Sequence, residues 1–180
     1  MVYVFLANGF EEVEALAPVD ILRRANIDTV TVGISGRVVN GTHNIMVTAD
    51  IQEDQVRKIN IDAIVLPGGK LGTQNLEQSK VVQDMIDYSM KHGILIGAIC
   101  AAPSILGKKR ILSKKTATAH PDFQEYLINA NLSEDYVCRD GNIITARGMG
   151  VSTEFGFKLV EAIKGEKIVN EIKSQIQWQE

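Results

Sequence analysis

The chain has 180 residues, of which 45% are hydrophobic and 23% charged, with a formal net charge of -3. This predicts one globular domain, residues 1–180, with a substantial core. Acidic and basic residues are mixed throughout, which argues against nucleic acid or an anionic membrane as a partner. No apolar run approaches the ~20 residues that span a bilayer. Two cysteines, Cys100 and Cys138, indicate a reducing compartment, so we expect a cytoplasmic protein.

Strand-like and helix-like segments alternate from the N-terminus. A strand at 2–7, a helix at 11–25 and a strand at 28–34 have the rhythm of βαβ units. Residues 37–48 predict a hairpin that interrupts the parallel pattern. In this hairpin Asn40-Gly41 supplies the positive-φ pair that a two-residue turn prefers.

Two continuous apolar runs, at 61–69 and 93–99, predict central strands that are covered on both faces of a parallel sheet. Between them, residues 79–93 predict a helix. Ser79 is its candidate N-cap, and Gly93 is its candidate C-terminal residue.

The last third of the chain continues the alternation. The predicted elements are a short strand at 116–120, a helix at 121–130, a hairpin at 136–148 about Asp140-Gly141, a capped amphipathic helix at 152–165 and a charged helix from Glu166. The class that fits is a doubly wound α/β fold. In such folds ligand chemistry lies at the carboxyl ends of the central strands.

Cys100 lies where an apolar strand ends and the sequence AAPSIL begins. Small neighbours leave room for a sharp strand-to-helix turn of the nucleophile-elbow type, and Pro103 is tolerated in a first helical turn. The positive end of the helix dipole and its free N–H groups are expected to lower the pKa of a thiol at this position. The placement favours a reactive thiol over the alternative, a small buried hydrophobe.

The sequence LPGG, with Gly68 and Gly69, ends the other central strand, but by itself it indicates a simple turn more strongly than a ligand site. Glu11, Glu12 and Glu14 follow the first strand and would lie near the same edge. We expect Glu11 and Glu12 to be solvated helix N-terminal charges. Glu14, three residues beyond Glu11, could turn inward and serve as a general acid, but its spacing alone favours a solvated position over this one.

The remaining histidines and cysteine fit structural positions better than catalytic ones. His92 reads as a charge at a helix C-terminus, His43 as an exposed hairpin residue and Cys138 as structural. For His120, at a strand end, the sequence leaves both an approach to the site and a peripheral place open. No metal-ligand spacing occurs, so no metal is expected.

Five segments carry a resemblance to the ThiJ/PfpI superfamily: GFEEVEALAPVDILRRA, DAIVLPGG, IGAICAAPSIL, ATAHPDF and ITARGMGVSTEFGFKLVEAI. They cover nearly the whole chain in order. The similarity is greatest to the branch of the Parkinson-disease-associated protein deglycase and its bacterial chaperone-like relatives. The resemblance implies a flavodoxin-like sandwich, related to class I glutamine amidotransferases, that forms a homodimer and carries an easily oxidised cysteine.

The resemblance also implies roles for individual residues. Cys100 matches the family nucleophile and Glu14 the carboxyl that hydrogen-bonds it. The other matched positions are the oxyanion-pocket amides of Gly68, Gly69 and Ala101, the family histidine at His120, and the pocket-edge segment Arg147-Gly148. The chain departs from the family pattern in having GMG where Gly-Pro-Gly follows the arginine, and His43 where the hairpin often carries a dimer-contact arginine.

The activity implied is that of a cofactor-independent glyoxalase or protein deglycase. Its partners would be small reactive aldehydes such as methylglyoxal and glyoxal, or glycated side chains, and its products would be hydroxy acids. The alternative function is a redox-sensing chaperone whose Cys100 is oxidised to sulfenic or sulfinic acid. A glutamine amidotransferase is disfavoured because no histidine follows His120, and a peptidase because Ala101 stands where many family proteases have histidine.

Overall fold

The computed structural model describes residues 1–179, in which a seven-stranded sheet forms the centre. The strands are β1 (Val2–Leu6), β2 (Thr29–Gly33), β3 (Val38–Asn40), β4 (Met46–Thr48), β5 (Ile51–Gln52), β6 (Ala63–Leu66), β7 (Leu95–Ile99), β8 (Thr116–Ala117), β9 (Asn131–Leu132), β10 (Val137–Asp140) and β11 (Ile143–Ala146). The α-helices are α1 (Glu12–Arg24), α2 (Lys70–Gln78), α3 (Lys80–His92), α4 (Pro103–Lys108), α5 (Ser152–Lys164) and α6 (Glu166–Gln175).

The central sheet has the strand order β10-β11-β7-β6-β1-β2-β5. All neighbouring pairs are parallel except β10 and β11. After β1 the chain adds β2 on one side of β1, and it then crosses over to add β6 on the other side. This reversal is a topological switch point, where doubly wound folds place their ligands.

Helices cover both faces of the sheet. One apolar cluster joins alternate side chains of β1 to α1, α5 and α6, and the other joins the remaining β1 side chains to α2, α3 and α4. The middle strands β1, β6 and β7 are buried along their whole length, as their continuous apolar sequences predict. The predicted doubly wound, flavodoxin-like α/β fold is confirmed.

Several local predictions are confirmed. Ser79 caps α3 by accepting the N–H of Val82 at 3.4 Å, and Gly93 ends this helix in the left-handed conformation. The hairpin of β10 and β11 turns at Gly141, whose φ is 62°. No helix in residues 1–179 is both long and apolar enough to cross a membrane.

The hairpin of β3 and β4 differs from its prediction in the turn. The strands pair as expected, but Asn40 lies opposite Met46, so the residues between them form a longer loop than the predicted two-residue turn. The positive φ belongs to Asn44, at 64°, rather than to Asn40-Gly41. The reason is tertiary: the N–H of Thr42 donates to Phe10 at 2.8 Å, which holds this loop against the start of α1.

Other differences concern short elements. Helix α2 was not predicted, because its sequence KLGTQNLEQ carries few apolar residues. The helix predicted at 121–130 is a shorter 3-10 helix, Pro121–Tyr126, and the strand predicted at 116–120 is limited to β8, which pairs with β9. No side chain caps α5, since the hydroxyl of Ser152 donates to the carbonyl of Met149 instead.

Candidate active site

Four adjacent strands, β11, β7, β6 and β1, end side by side at one edge of the sheet. The segments that follow their ends carry Arg147-Gly148, Cys100 and Gly68-Gly69, and the fourth leads into α1 with Glu14. Because the carboxyl ends of parallel strands meet at the same edge, the fold brings together residues far apart in the chain.

Cys100 lies at the sharp turn between β7 and α4, with a φ of 63°. A left-handed backbone costs a residue that has a Cβ about 1–3 kcal/mol, and it persists only where its surroundings hold it. Here the N–H of Cys100 donates to Ala146 at 2.8 Å, and its carbonyl accepts the N–H of His120 at 2.9 Å. The turn has the predicted nucleophile-elbow geometry and leaves Cys100 half-buried.

Glu14 lies in the first turn of α1 with its side chain turned inward and only 1% of the residue exposed. Its Oε2 accepts the N–H of Gly68 at 3.0 Å. The carboxyl faces Cys100, since Glu14 Oε2 and Cys100 Cβ both lie within 3 Å of the place that a Cβ on Gly68 would take. Of the three acids at this edge, Glu14 is therefore the one that meets the thiol.

The Glu14–Cys100 pair lies in surroundings that disfavour charge. Burial raises the pKa of Glu14 to about 7, and the charge of Glu11 adds to the rise. Burial also raises the pKa of the Cys100 thiol to about 12, with the Glu14 carboxylate as the next cause. The predicted lowering of the thiol pKa is wrong, since desolvation, followed by the like charge of Glu14, outweighs the N–H groups. At any pH between these two pKa values, Glu14 and Cys100 together hold one proton and carry one negative charge.

Backbone N–H groups surround the pair. Those of Gly69 and Ala101 lie near the Cys100 sulfur and act to lower its pKa, whereas that of Gly68 donates to Glu14. A Cβ at Gly68 would lie 2.5 Å from Glu14 Oε2 and 2.7 Å from Cys100 Cβ. Only glycine at position 68 therefore lets the two side chains meet.

His120 lies at the rim of the site, 44% exposed in its side chain. Its Nδ1 accepts the N–H of Asp122 at 3.3 Å, so a neutral ring carries its proton on Nε2. A Cβ placed on Gly148 would lie 3.9 Å from both His120 Cδ2 and Glu14 Oε1. Gly148 thus separates the histidine ring from the carboxyl.

Arg147 turns its guanidinium away from Cys100. It donates to Thr118 Oγ1 and to the carbonyl of Ser133, both at 3.2 Å, and lies 4.9 Å from the Tyr136 ring centroid. A depression of about 430 Å³ opens beside it, lined by His120, Pro121, Tyr136 and residues 147–151. Arg147 and Gly148 therefore form the wall of a half-open depression.

Glu12 and His43 form a separate pair, which corrects the expectation that Glu12 is solvated. The Glu12 side chain is 4% exposed and accepts the backbone N–H of His43 at 2.7 Å, with His43 Nδ1 at 2.9 Å. Burial raises the pKa of Glu12, but the hydrogen bonds of His43 outweigh it and leave the pKa below its ordinary value. Glu11 caps α1 by accepting the N–H of Glu14 at 2.7 Å. These groups, the only such cluster of potential metal ligands in residues 1–179, are satisfied by protein partners.

The sequence does not mark the Met149 backbone, which lies near enough to Glu14 to act to lower its pKa. Cys138 matches its structural prediction: it is buried, with Sγ 3.2 Å from Thr145 Oγ1.

Comparisons with known proteins agree with this architecture. The chain is 36% identical over 172 residues to Protein dj-1beta of Drosophila melanogaster, covering 94% of this chain and 92% of the relative. It is 28% identical over 164 residues to the glutathione-independent glyoxalase DJR-1.2 of Caenorhabditis elegans, covering 90% of this chain and 87% of the relative.

Solved structures share the fold. Oxidized Toxoplasma gondii DJ-1 superposes with a TM-score of 0.95 at 29% identity, and Drosophila melanogaster DJ-1beta with a TM-score of 0.94 at 35% identity. Each comparison covers 99% of this chain and 98% of the other. The profile of the DJ-1/PfpI family matches residues 1–162. Since this match spans most of the chain and the fold agrees throughout, the chain belongs to the DJ-1/PfpI family.

Proposed function

We propose that this protein is a cofactor-independent glyoxalase and protein deglycase that converts methylglyoxal, glyoxal or their early adducts into hydroxy acids. The observation that carries the proposal is the buried Glu14–Cys100 pair, which holds one mobile proton between a nucleophile and an acid-base group. A relative named as a glutathione-independent glyoxalase supports it. In such a reaction the thiol of Cys100 does the work for which other glyoxalases need glutathione.

The first step is addition. When the shared proton resides on Glu14, the Cys100 thiolate attacks the aldehyde carbon of methylglyoxal and forms a C–S bond. The aldehyde oxygen takes the proton of Glu14, which gives a hemithioacetal and leaves a carboxylate. The N–H groups of Gly69 and Ala101, which lie near the sulfur, stabilise the thiolate before the attack and the negative charge that develops on the aldehyde oxygen during it.

The second step is rearrangement. The Glu14 carboxylate removes the proton from the former aldehyde carbon and returns it to the neighbouring ketone carbon, while the hydroxyl proton passes to the ketone oxygen. The product is a lactoyl thioester of Cys100. Water then cleaves this thioester, releasing lactate and restoring the thiol. Methylglyoxal and water give lactate, so the reaction consumes no oxidant, reductant or cofactor.

The rim residues bind the substrate in this scheme. His120, with its proton on Nε2, donates a hydrogen bond to a substrate oxygen. Arg147 and Gly148 shape the wall of the depression, and its half-open form admits a glycated side chain as well as a free aldehyde. With a glycated side chain, the Cys100 thiolate forms the same hemithioacetal by displacing the side-chain amine or thiol, which leaves with the proton of Glu14, and the same rearrangement follows.

The decisive experiment compares the wild type with Cys100→Ser and Glu14→Gln. It measures lactate formed from free methylglyoxal and, separately, adduct loss from a pre-glycated peptide after the free aldehyde has been trapped. We expect both variants to lose activity by on the order of 100-fold or more, since each lacks one half of the proton-sharing pair. Cys138→Ser is the matched control and should keep full activity. Full lactate production by Cys100→Ser would refute the mechanism.

A second candidate function is a redox sensor with chaperone activity. The half-buried Cys100, next to N–H groups able to hold an added oxygen, favours it. Mild peroxide followed by peptide mapping should then place the oxygen on Cys100, with buried Cys138 unmodified. Oxidation of Cys138 before Cys100 would count against this role.

We also propose that the chain forms a homodimer through α1 and the hairpin of β3 and β4. These elements expose apolar side chains that a lone chain leaves in water, namely Val13, Leu16, Val38, Ile45 and Met46, here called the apolar patch. The backbone N–H of His43 donates to Glu12 at 2.7 Å, so the hairpin lies against the start of α1. A second copy is the occupant that the family resemblance implies.

A further inference from the structure

A second cavity opens at the carboxyl edge of the sheet, on the side of β1 away from Cys100. Its volume is about 360 Å³, at the small end of the range for small-molecule pockets. The segments that follow β1, β2 and β5 line it together with the junction of α2 and α3. Its polar lining residues are Asn8, Ser35, Glu53, Asn75, Gln78 and Ser79. The carboxyl edge is where doubly wound folds bind ligands.

Glu53 is the charged residue of this lining, and it begins the 3-10 helix Glu53–Gln55 after β5. Its Oε1 accepts the backbone N–H of Ser35 at 3.0 Å, and its Oε2 accepts the hydroxyl of Ser79 at 3.4 Å. Ser35 has a φ of 64°, and this left-handed turn after β2 directs its N–H to the carboxylate. Two neutral donors therefore fix the Glu53 carboxylate, one on each oxygen.

The negative charge of Glu53 has no cationic side chain opposite it. No lysine, arginine or histidine of the described chain lines the cavity. Lys58 shares a neighbouring depression with Glu53, but its Nζ lies over the Tyr88 ring, 5.2 Å from the centroid. The N-terminus of α3, which Ser79 caps, contributes only about half a positive charge. A net negative charge therefore remains at the cavity.

Two side-chain amides add uncharged acceptors to the same lining. Asn75 donates its Nδ2 to the carbonyl of Asn8 at 2.8 Å, which fixes the amide and leaves Oδ1 as an acceptor. Gln78, exposed at the end of α2, supplies a second amide oxygen. The lining therefore suits a ligand with one positive charge and several N–H donors, since Glu53 repels anions and a single carboxylate does not neutralise a divalent metal ion.

We propose that this cavity binds a small organic cation that carries a primary ammonium group. The three N–H bonds of the ammonium match the Glu53 carboxylate and the amide oxygens of Asn75 and Gln78. Neither Glu14 nor Cys100 lines the cavity, so the inference does not rest on the proposed function.

The test is an NMR titration at pH 7 with n-butylammonium chloride. It follows the backbone N–H of Ser35 and the side-chain amides of Asn75 and Gln78. We expect saturable shifts with a Kd of about 1–10 mM, a value suited to so small a ligand. Tetramethylammonium has the charge without N–H groups and n-butanol has the chain without the charge, so neither should give saturable shifts. Nα-acetyl-lysinamide distinguishes the sources: if it binds as well, the site also takes lysine side chains, and if it does not, the site takes free amines.

Glu53→Gln keeps the shape of the side chain and removes its charge, so it should weaken n-butylammonium binding by about tenfold or more. Asp54→Asn is the matched control and should bind as the wild type does, because it removes an exposed carboxylate of the same 3-10 helix that does not line the cavity. Wild-type affinity in Glu53→Gln would overturn the inference.

The comparison of ligands on the wild type needs no variant, so it decides the matter even if Glu53→Gln fails to fold. An absence of saturable shifts with n-butylammonium, or an equal response to tetramethylammonium, glycerol or calcium chloride, also refutes the ammonium site. None of these measurements uses a carbonyl substrate, so their outcome is separate from that of the lactate assay.

Discussion

Gly68 shows at the scale of one residue how closely the candidate site is packed. It donates its N–H to Glu14, and a methyl group in place of its hydrogen would overlap both Glu14 Oε2 and Cys100 Cβ. The sequence LPGG alone indicates only a turn. In the structure, Gly68 matters because the absence of a side chain at this position leaves room for Glu14 and Cys100.

We predict that Gly68→Ala lowers lactate formation by about tenfold or more and destabilises the protein by roughly 1–3 kcal/mol, the usual range for overpacking. The added methyl pushes the Glu14 carboxyl away from the thiol. Enzyme assays and urea unfolding measure the two effects. Gly150→Ala is the control, since a Cβ there meets nothing within 4 Å. Wild-type activity in Gly68→Ala would contradict the proposed contact.

The residues of the pair differ in how far the sequence predicts them. Cys100 is marked by local features, an apolar strand before it and small residues with Pro103 after it. Glu14 is not, because its neighbours Glu11 and Glu12 have the same chemistry and only the direction of each side chain separates them. In the structure one caps α1, one binds His43 and one meets the thiol.

At the scale of elements, long periodic segments are predicted well. Helices α1, α3, α5 and α6 and the strands of the central sheet other than β5 occupy their expected places, since their apolar patterns match the faces they bury. Short elements are predicted less well. Helix α2 has too few apolar residues to show a period, although Leu76 packs in the core.

The hairpin of β3 and β4 illustrates why a local signal fails. Asn40-Gly41 suits a tight turn, but the loop instead follows contacts with a distant segment: Thr42 bonds to Phe10 and His43 to Glu12. The bond from His43 holds the buried Glu12 carboxylate against the loop. Contacts between segments far apart in the chain outweigh the preference of a single dipeptide.

At the scale of the whole molecule, the apolar patch leads to a prediction about assembly. Met46 is 73% exposed within the patch, and Met46→Glu places a charge where the second copy would bury an apolar side chain. We predict that this variant is monomeric in sedimentation velocity, whereas the wild type is a dimer. Ile59→Glu, at a 64% exposed apolar residue outside the patch, is the matched control and should stay dimeric. A dimeric Met46→Glu protein would place the interface elsewhere.

The sequence by itself determined the fold class, the central strands and the position of Cys100 in its turn, because these follow from local patterns of apolar and small residues. Its motifs also carried the family resemblance. Spacing left the choice among Glu11, Glu12 and Glu14 open, and only the resemblance pointed to Glu14, which the structure places beside the thiol. The tertiary structure alone decided that Glu12 is buried against His43 and that burial raises rather than lowers the pKa of Cys100. The physical reason is that desolvation and hydrogen bonding depend on what lies beside a group in space, and here those neighbours come from the ends of four different strands.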